Sequence, residues 1–138
     1  MEYVTIIKGK PQTADDIIRL YSSVGWGNQE TYSKKKIMTM VLNTDVFYCA
    51  YILKNMVGFA RLCTDDSYCT YLIEVIIDPK FQKMGIGTKI LNSINNDYGH
   101  TTIYLDAIVG QEAFFEKNKY KKAKNLVTMY KKASKTLN

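Results

Sequence analysis

The chain has 138 residues, of which 46% are hydrophobic and 23% charged, and no apolar run approaches the length of a membrane span. This length suits one domain, residues 1–138, and is too short for two. Three cysteines without Cys-x-x-Cys spacing and the single His100 argue against a disulfide framework, a metal site and a Ser-His-Asp triad. Because the first eight residues are typical of a strand rather than of a signal peptide, we expect a cytoplasmic protein with no metal and no membrane partner.

The charge of the chain is basic. A net charge of +6 comes from 19 Lys and Arg against 13 Asp and Glu, with lysines concentrated in residues 34–36, 117–124 and 131–135. A basic surface attracts nucleic acid, but the aromatic and recognition-helix patterns that accompany such binding are missing from this sequence. Solvated helix faces and attraction for an anionic ligand explain the charge more simply. We therefore expect no nucleic-acid partner, and a nucleic-acid-associated protein stays open as an alternative.

The first third of the chain predicts one strand and two helices. Residues 3–8 are typical of a strand, and a helix is expected after Thr13, its N-cap, with Asp15 and Asp16 in the first turn. The segment 25–28 breaks this helix, and a second helix is predicted over residues 32–42. The apolar face of the first helix contains Ile17, Ile18, Leu20, Tyr21 and Val24.

Three strand patterns follow, over residues 46–53, 57–63 and 68–77. Their connections are short, which predicts an antiparallel meander. Beyond a helix that starts near Ile86, residues 101–107 predict a strand joined by a crossover, and hence parallel to the third strand of the meander. The last predicted elements are a helix over residues 111–118 and a strand over residues 126–131.

The third strand of the meander ends at a proline and leads through a glycine-containing loop into a helix. Pro79 cannot donate a backbone hydrogen bond, so the strand ends just before it. Gly85 and Gly87 let backbone N–H groups turn toward one point, at a helix N-terminus that favours phosphate. Lys83 and Lys89 add positive charge beside it. These residues predict an anion-binding loop.

The spacing of the glycines limits which phosphate ligand this loop suits. A Walker loop requires Gly-Lys-Ser/Thr, whereas Gly87 is followed by Thr88 and Lys89 in the opposite order. A dinucleotide fingerprint requires a third glycine where Ile90 stands, although Asp106 lies downstream at a suitable distance. The Walker interpretation is excluded and the dinucleotide interpretation is disfavoured.

The pattern Gln82-x-x-Gly85-x-Gly87, preceded by a strand and Asp78-Pro79, resembles the acyl-CoA pyrophosphate loop of the GNAT N-acetyltransferase superfamily. The order of the predicted elements is also that of a GNAT domain. The resemblance implies an α+β or α/β fold whose mixed central sheet has about six to seven strands, including an antiparallel meander, flanked by about four helices.

A second segment strengthens the resemblance, which covers nearly the whole chain. Residues 113–120 are similar to a late segment of the family that is usually written Phe-Tyr-x-x-x-Gly-Phe. Two residues depart from it: Lys119 replaces a glycine, and Phe115 stands where many members carry a tyrosine proposed to protonate the departing CoA thiolate.

The resemblance implies that acetyl-CoA is the co-substrate. Backbone groups of Val75, Ile76 and Ile77 are expected to pair with its pantetheine arm as an added strand would, with one N–H polarising the thioester carbonyl. Phe114 and Lys117 of the late segment are expected to contribute further contacts. The residues expected around the pyrophosphate are Gln82, Lys83, Met84, Gly85, Ile86, Gly87 and Thr88.

Glu74 is the one carboxylate in the middle of an otherwise apolar strand, where a charge is costly unless it is paired or useful. As a general base, acting directly or through water, it would take the proton of an acceptor amine; the alternative is a solvated residue or a salt bridge. Trp26, with Tyr21 and Tyr32 nearby in sequence, is expected to line the acceptor site, because the resemblance places the loop between the first two helices there; the alternative is an aromatic packing anchor. Salt bridges, turns and caps are the expected roles of Arg61, Asp65, Asp66 and Asp106.

The function that the resemblance implies is transfer of an acetyl group from acetyl-CoA to a primary amine, of a small molecule, a peptide or a protein, by direct attack. The alternative is a non-catalytic acyl-CoA-binding or regulatory module, which Phe115 favours because its ring lacks the acid hydroxyl. The sequence does not identify the acceptor, whose contacts lie in loops. A homodimer is expected by analogy with the family alone.

Overall fold

The computed structural model describes residues 3–136. The chain divides after Leu105 into two compact units. That residues 1–138 act as a single domain stays a prediction. No helix in the described part has the length and the apolar composition needed to cross a membrane.

The first unit contains five strands and three of the four helices. The strands are β1 (Val4–Lys8), β2 (Val46–Ile52), β3 (Asn55–Thr64), β4 (Cys69–Ile77) and β5 (Thr102–Leu105), and the helices are α1 (Asp15–Ser23), α2 (Lys34–Asn43) and α3 (Ile86–Tyr98). Short 3-10 turns cover Gln29–Thr31 and Pro79–Phe81. The second unit contains α4 (Glu112–Lys117). The predicted number of helices is confirmed in the described residues.

The strands form one mixed sheet in the order β1-β2-β3-β4-β5. The first four are antiparallel neighbours, and β5 lies parallel to β4 after the crossover through α3, so the predicted meander and crossover are both confirmed. The sheet has five strands in the described part of the chain, and the prediction of six to seven strands is therefore wrong.

The difference lies at the predicted strand over residues 126–131, where the structure has neither helix nor strand. Val127 and Tyr130 have strand-forming side chains, yet they are 85% and 89% exposed. A strand forms only where its backbone groups and its side chains find a partner, so local propensity alone does not produce one here.

The first two helices begin later than the sequence predicts. The N-cap of α1 is Ala14, which is buried and makes no side-chain cap bond, so the prediction of Thr13 as the cap is wrong. Asp15 and Asp16 lie in the first turn and stabilise the helix N-terminus by their charge. The second helix begins after Ser33, whose hydroxyl oxygen accepts a bond from the Lys36 N–H.

Helices cover both faces of the sheet. Ile17, Leu20 and Tyr21 of α1 pack with Ile37 and Val41 of α2 against one face. The opposite face receives α3, whose buried residues are Ile86, Ile90, Leu91, Ile94 and Tyr98. The sheet residues beneath α1 and α2 are Phe47, Cys49, Phe59 and Ile76.

A bulge divides β4 into two parts. Arg61 of β3 pairs with Glu74, whereas the next residue, Leu62, pairs with Leu72, so Ile73 is an extra residue opposite them. Because side chains alternate between faces along a strand, this insertion turns Leu72 toward α3 and Glu74 toward α1 and α2.

The first part of β4 is tied on both sides. Its buried Thr70 shares hydroxyl hydrogen bonds with Thr64 of β3 (2.8 Å) and with Thr101 (2.7 Å), which follows α3. Pairing with β5 covers Cys69 to Leu72 and stops there. Up to Leu72, just before the bulge, β4 is therefore closed, which means that it is paired with a strand on each side.

Candidate functional site

The second part of β4 has an open edge. Residues 74–77 pair with β3 on one side, and no strand within residues 3–136 pairs with them on the side of β5. The side chain of Ile76 is buried in the core, while Val75 and Ile77 are half-buried. Backbone groups along this edge are available to an extended ligand, which binds as an added strand would.

The loop after β4 is held by short local bonds. The carboxylate of Asp78 accepts the Lys80 N–H at 3.0 Å, and the Pro79–Phe81 turn follows. The side-chain amide of Gln82 donates to the Ile77 carbonyl at 3.1 Å, so this side chain fastens the loop to the end of the strand. The predicted contact of Gln82 with pyrophosphate stays a prediction.

Gly85 forms the N-cap of α3 in the left-handed region, with φ of +79°, which favours glycine. No hydrogen bond within residues 3–136 uses the N–H groups of Gly85, Ile86, Gly87 or Thr88. Ile86 is buried and anchors the helix, while Gln82, Lys83, Met84 and Gly85 are exposed. Unpaired amides at a helix N-terminus beside a lysine fit the phosphate groups of a CoA molecule.

Glu74 lies at the centre of a polar cluster on the α1 and α2 side of the sheet. Its Oε2 accepts hydrogen bonds from the Tyr21 hydroxyl and from Arg61 Nε, the latter at 2.7 Å. Arg61 Nη1 also donates to Thr44 Oγ1 at 3.2 Å, at the end of α2. The side chains of Glu74 and Arg61 are 11% and 19% exposed, so the ion pair is largely shielded from water. The predicted salt-bridge role of Arg61 is confirmed.

Burial and the charge of Glu74 both shift the pKa values of its two partners, Arg61 and Tyr21. Burial lowers the pKa of Arg61, but the hydrogen bond and the charge of Glu74 outweigh it, and the net effect is a raised pKa. Burial raises the pKa of Tyr21, and the nearby Glu74 carboxylate raises it further. Both groups therefore keep their protons at neutral pH and act as donors.

An aromatic cluster adjoins Glu74. The Tyr21 ring lies 5.7 Å from the Trp26 ring, at an interplanar angle of 28°, and 5.7 Å from the Tyr32 ring. Gly25 and Gly27, with φ of +83° and +81°, turn the chain after α1, and Trp26 N–H donates to the Tyr21 carbonyl. Trp26 is 38% exposed, so its ring presents a surface to solvent.

The structure thus brings Glu74 together with Trp26 and Tyr32 through Tyr21, although Glu74 is 53 positions from Tyr21 in the sequence. The strand residues 75–77 and the loop 82–88 follow Glu74 directly along the chain. Phe114 and Lys117 lie in α4 of the second unit, and their contacts with a cofactor stay predictions.

Phe115, which replaces the family's tyrosine, also lies in α4. Its ring packs edge-on against Phe114 at 5.0 Å and against Tyr120 at 5.9 Å. Burial raises the pKa of the Tyr120 phenol. Within this unit Phe115 is therefore a packing residue.

Sequence reasoning missed the Tyr21 hydroxyl and its bond to Glu74. A signal was present, because a tyrosine on the apolar face of a helix needs a partner for its hydroxyl. Arg61 was expected in a salt bridge but not beside Glu74. Single opposite charges in two neighbouring apolar strands were the signal for that pair.

The other three acidic residues singled out in the sequence, Asp65, Asp66 and Asp106, make hydrogen bonds away from Glu74. Asp65 Oδ1 accepts three backbone N–H groups in the β3–β4 turn, Asp66 bonds His100 Nε2 at 2.9 Å, and Asp106 accepts a bond from Thr128 Oγ1. Within residues 3–136, no three His, Cys, Asp or Glu side chains are grouped as a metal site would require.

Comparison with known proteins adds an independent line of support. The family model described as an acetyltransferase (GNAT) domain matches residues 43–122, more than half of the chain. An uncharacterized N-acetyltransferase, ycf52, of Gracilaria tenuistipitata var. liui is 31% identical over 80 residues, which cover 57% of this chain and 44% of that relative. The match thus spans less than half of the relative's length.

Two solved structures share the fold. A GNAT family acetyltransferase, SP0256 from Streptococcus pneumoniae TIGR4, has a TM-score of 0.80 at 20% identity, over 96% of this chain and all of that chain. The aminoglycoside N-acetyltransferase AAC(6')-Iy in complex with CoA has a TM-score of 0.72 at 10% identity, over 96% and 97% of the two chains. Together with the family match over residues 43–122, these findings establish that the chain belongs to the GNAT acetyltransferase family.

Proposed function

We propose that the protein is an acetyl-CoA-dependent N-acetyltransferase that moves an acetyl group to a primary amine of a small molecule, a peptide or a protein. The observation that carries the proposal is the division of β4 at Ile73. Beyond it, the strand has an open edge that leads to unpaired amides at the start of α3, and a carboxylate that is largely shielded from water lies beside the bulge.

The cofactor is proposed to lie along the open edge of β4. Val75, Ile76 and Ile77 offer backbone groups to the pantetheine arm, and the N–H groups of residues 85–88, with Lys83, offer donors and charge to the pyrophosphate. Bound there, acetyl-CoA supplies an acetyl thioester. The family to which the chain belongs uses this co-substrate.

Glu74 is proposed to accept the proton of the attacking amine, directly or through water. In the overall exchange a nitrogen–carbon bond forms, the carbon–sulfur bond breaks, and CoA leaves as the thiolate, which then takes a proton from water. The nitrogen of a neutral amine loses one proton to Glu74, which passes it to water, and an alkylammonium ion must first lose a further proton. An alkylamine with a pKa near ~10.4 is mostly protonated at neutral pH, so stripping this first proton costs roughly 4 to 5 kcal/mol. A thiol with a pKa near ~8.5 leaves more easily as the anion, so an absent acid costs less.

Trp26 and Tyr32 are proposed to line the acceptor side. Their rings adjoin Tyr21, which donates to Glu74, so an amine that reaches the carboxylate passes this aromatic cluster. The structural relative AAC(6')-Iy is named for aminoglycosides, and such polyamines belong in a first panel of acceptors. A cytoplasmic homodimer is part of the same proposal.

Phe115 favours a second candidate, a non-catalytic acyl-CoA-binding or regulatory module. Its phenyl ring cannot donate a proton to a leaving thiolate, which is the role proposed for the family's tyrosine. A binding module would retain affinity for acetyl-CoA and release no thiol in the presence of any amine.

A thiol-release assay with acetyl-CoA and a panel of primary amines separates the two candidates. We expect turnover with at least one amine and little hydrolysis without an acceptor. Tight binding of acetyl-CoA without turnover would support the binding module. Weak binding of acetyl-CoA, together with sequence-selective binding to duplex DNA that survives moderate salt, would favour the nucleic-acid alternative.

A further inference from the structure

We infer, on the basis of the proposed function, that Arg61 and Tyr21 are positioning residues that hold one oxygen of Glu74 and reserve the other for the acceptor amine. Both donors bind the same atom, Oε2. No hydrogen bond within residues 3–136 uses Oε1. A carboxylate accepts bonds on both oxygens, so the unused oxygen is the one that can take a proton from a ligand.

The protonation states of the two donors do not change with pH in the neutral range. Arg61 is permanently charged, and Tyr21 keeps its proton because burial disfavours the phenolate. Arg61 from β3 and Tyr21 from α1 are the titratable groups that contact Glu74 within the described residues, with Tyr32 behind the Tyr21 ring. The orientation of the carboxylate is therefore constant over the pH range in which an amine becomes a nucleophile.

Each donor is itself held in place. Arg61 reaches Thr44 with a second nitrogen, and Thr44 is fixed by two bonds to the Met40 carbonyl at the end of α2. The Tyr21 ring is enclosed by its aromatic neighbours and is 7% exposed. A carboxylate clamped by donors from a helix and a strand cannot rotate to exchange its oxygens without breaking both bonds.

The test compares Arg61→Met, Arg61→Lys and Tyr21→Phe with matched controls elsewhere in the same unit. Lys34→Met removes a cation that pairs with Asp15 of α1, away from the loop 82–88. Tyr51→Phe removes a hydroxyl from another ring at the same core. The measurement is kcat and KM against pH, with acetyl-CoA and the best amine from the panel.

We expect Arg61→Met to lower kcat/KM about tenfold to a hundredfold, because a misplaced catalytic group loses its alignment. The loss should fall on kcat and leave the KM for acetyl-CoA unchanged, because Arg61 contacts neither the open edge of β4 nor the loop 82–88. Tyr21→Phe should lower kcat less, and Arg61→Lys should restore it in part. The controls should leave kcat unchanged.

Combination with Glu74→Gln separates positioning from a general loss of structure. In that background, Arg61→Lys and Tyr21→Phe should cause no further loss of kcat/KM, because the carboxylate they orient is gone. If both substitutions lowered the rate equally with and without Glu74, or left the wild-type kcat unchanged, the inference would be overturned.

Failure of the proposed function has a different result, which is no turnover by the wild-type protein with any amine. The clamp is then tested by crystal structures of the wild type, Arg61→Met and Lys34→Met. The Glu74 carboxylate should keep one orientation in the wild type and in Lys34→Met, with both donors on Oε2, and should change or divide its orientation in Arg61→Met. An unchanged carboxylate in Arg61→Met would contradict the clamp.

Discussion

The two parts of β4 share one strand and differ in what their polar groups are bonded to. Before Ile73 the backbone pairs with strands on both sides, and Thr70 is bonded to Thr64 and Thr101. After Ile73 one edge is open, and Glu74 keeps one oxygen without a protein partner in the described residues. The first part uses its hydrogen-bonding capacity for stability, and the second part retains some for a ligand.

The bulge at Ile73 is the cause of this division, so its deletion should have the largest effect. Without the extra residue, Leu72 and Glu74 cannot both keep their present faces. Either an apolar side chain becomes exposed or the Arg61–Glu74 pair is broken, and a broken pair of this kind costs about 3–5 kcal/mol. Urea unfolding measures the loss. Surface substitutions usually change the free energy of unfolding by less than about 1 kcal/mol. A change no larger than this would contradict the account of the bulge.

Glu74→Gln should have the next largest effect, mainly on activity. It also removes the charge that pairs with Arg61 and should lower stability, but by less than the deletion, because the glutamine oxygen still accepts the bonds of Tyr21 and Arg61. Loss of the base should lower kcat by about 10²- to 10⁴-fold at neutral pH. The rate should recover as pH rises, because free amine becomes available without a base. Asp15→Asn, at an exposed carboxylate of α1, is the control and should behave as wild type. A wild-type pH profile for Glu74→Gln would make this residue structural.

Gly87→Val tests the proposed phosphate site at the start of α3, which follows the open edge of β4. Gly87 lies in the first turn of α3, where a valine is tolerated at least as well as a glycine, so the fold should be retained. Its side chain would block the approach of phosphate, and loss of hydrogen bonds to a charged group worth ~1.5–3 kcal/mol raises the Kd for acetyl-CoA about tenfold to a hundredfold. Calorimetric titration measures this Kd. An unchanged affinity for acetyl-CoA would show that the loop is not part of the cofactor site.

Thr70→Val is the matching test of the first part. It removes a buried hydroxyl that bonds two others, which should lower stability by about 1–3 kcal/mol. The kcat and the KM for acetyl-CoA should not change, because the bonds it breaks lie on the closed side of the bulge. A large loss of activity in a folded Thr70→Val protein would show that the two parts are not independent.

Raising the salt concentration should have the smallest effect. The Kd for acetyl-CoA should rise severalfold between about 50 and 500 mM salt, because the lysines beside the loop are exposed and their attraction is screened. Lys83→Gln should reduce this dependence, and Lys54→Gln, outside the loop, should not. Salt-independent binding would indicate that the amides alone hold the phosphates.

The sequence predicts the meander, the crossover and the loop well, because each depends on local signals such as alternation, Pro79 and the two glycines. It does not predict the bulge, because an extra residue is visible only when β3 and β4 are paired. The partners of Glu74 are missed for the same reason, since Tyr21 is 53 positions away. The strand over residues 126–131 is wrongly predicted because propensity carries no information about whether a partner is present.

In the closed part of β4, the hydrogen bonds among the threonine hydroxyls also determine which hydroxyl donates to which. Thr101 donates to the Tyr98 carbonyl, so its single proton is used, and Thr70 must donate to it. Thr64 then donates to Thr70 at 2.8 Å, a shorter contact than its alternative acceptor, the Cys69 carbonyl at 3.4 Å, while its oxygen accepts the Asp66 N–H. The chain of donors runs in one direction, from the β3–β4 turn through the sheet to the end of α3. Such a chain polarises its own members, and its hydroxyl protons should exchange slowly enough with solvent to be visible as separate NMR signals.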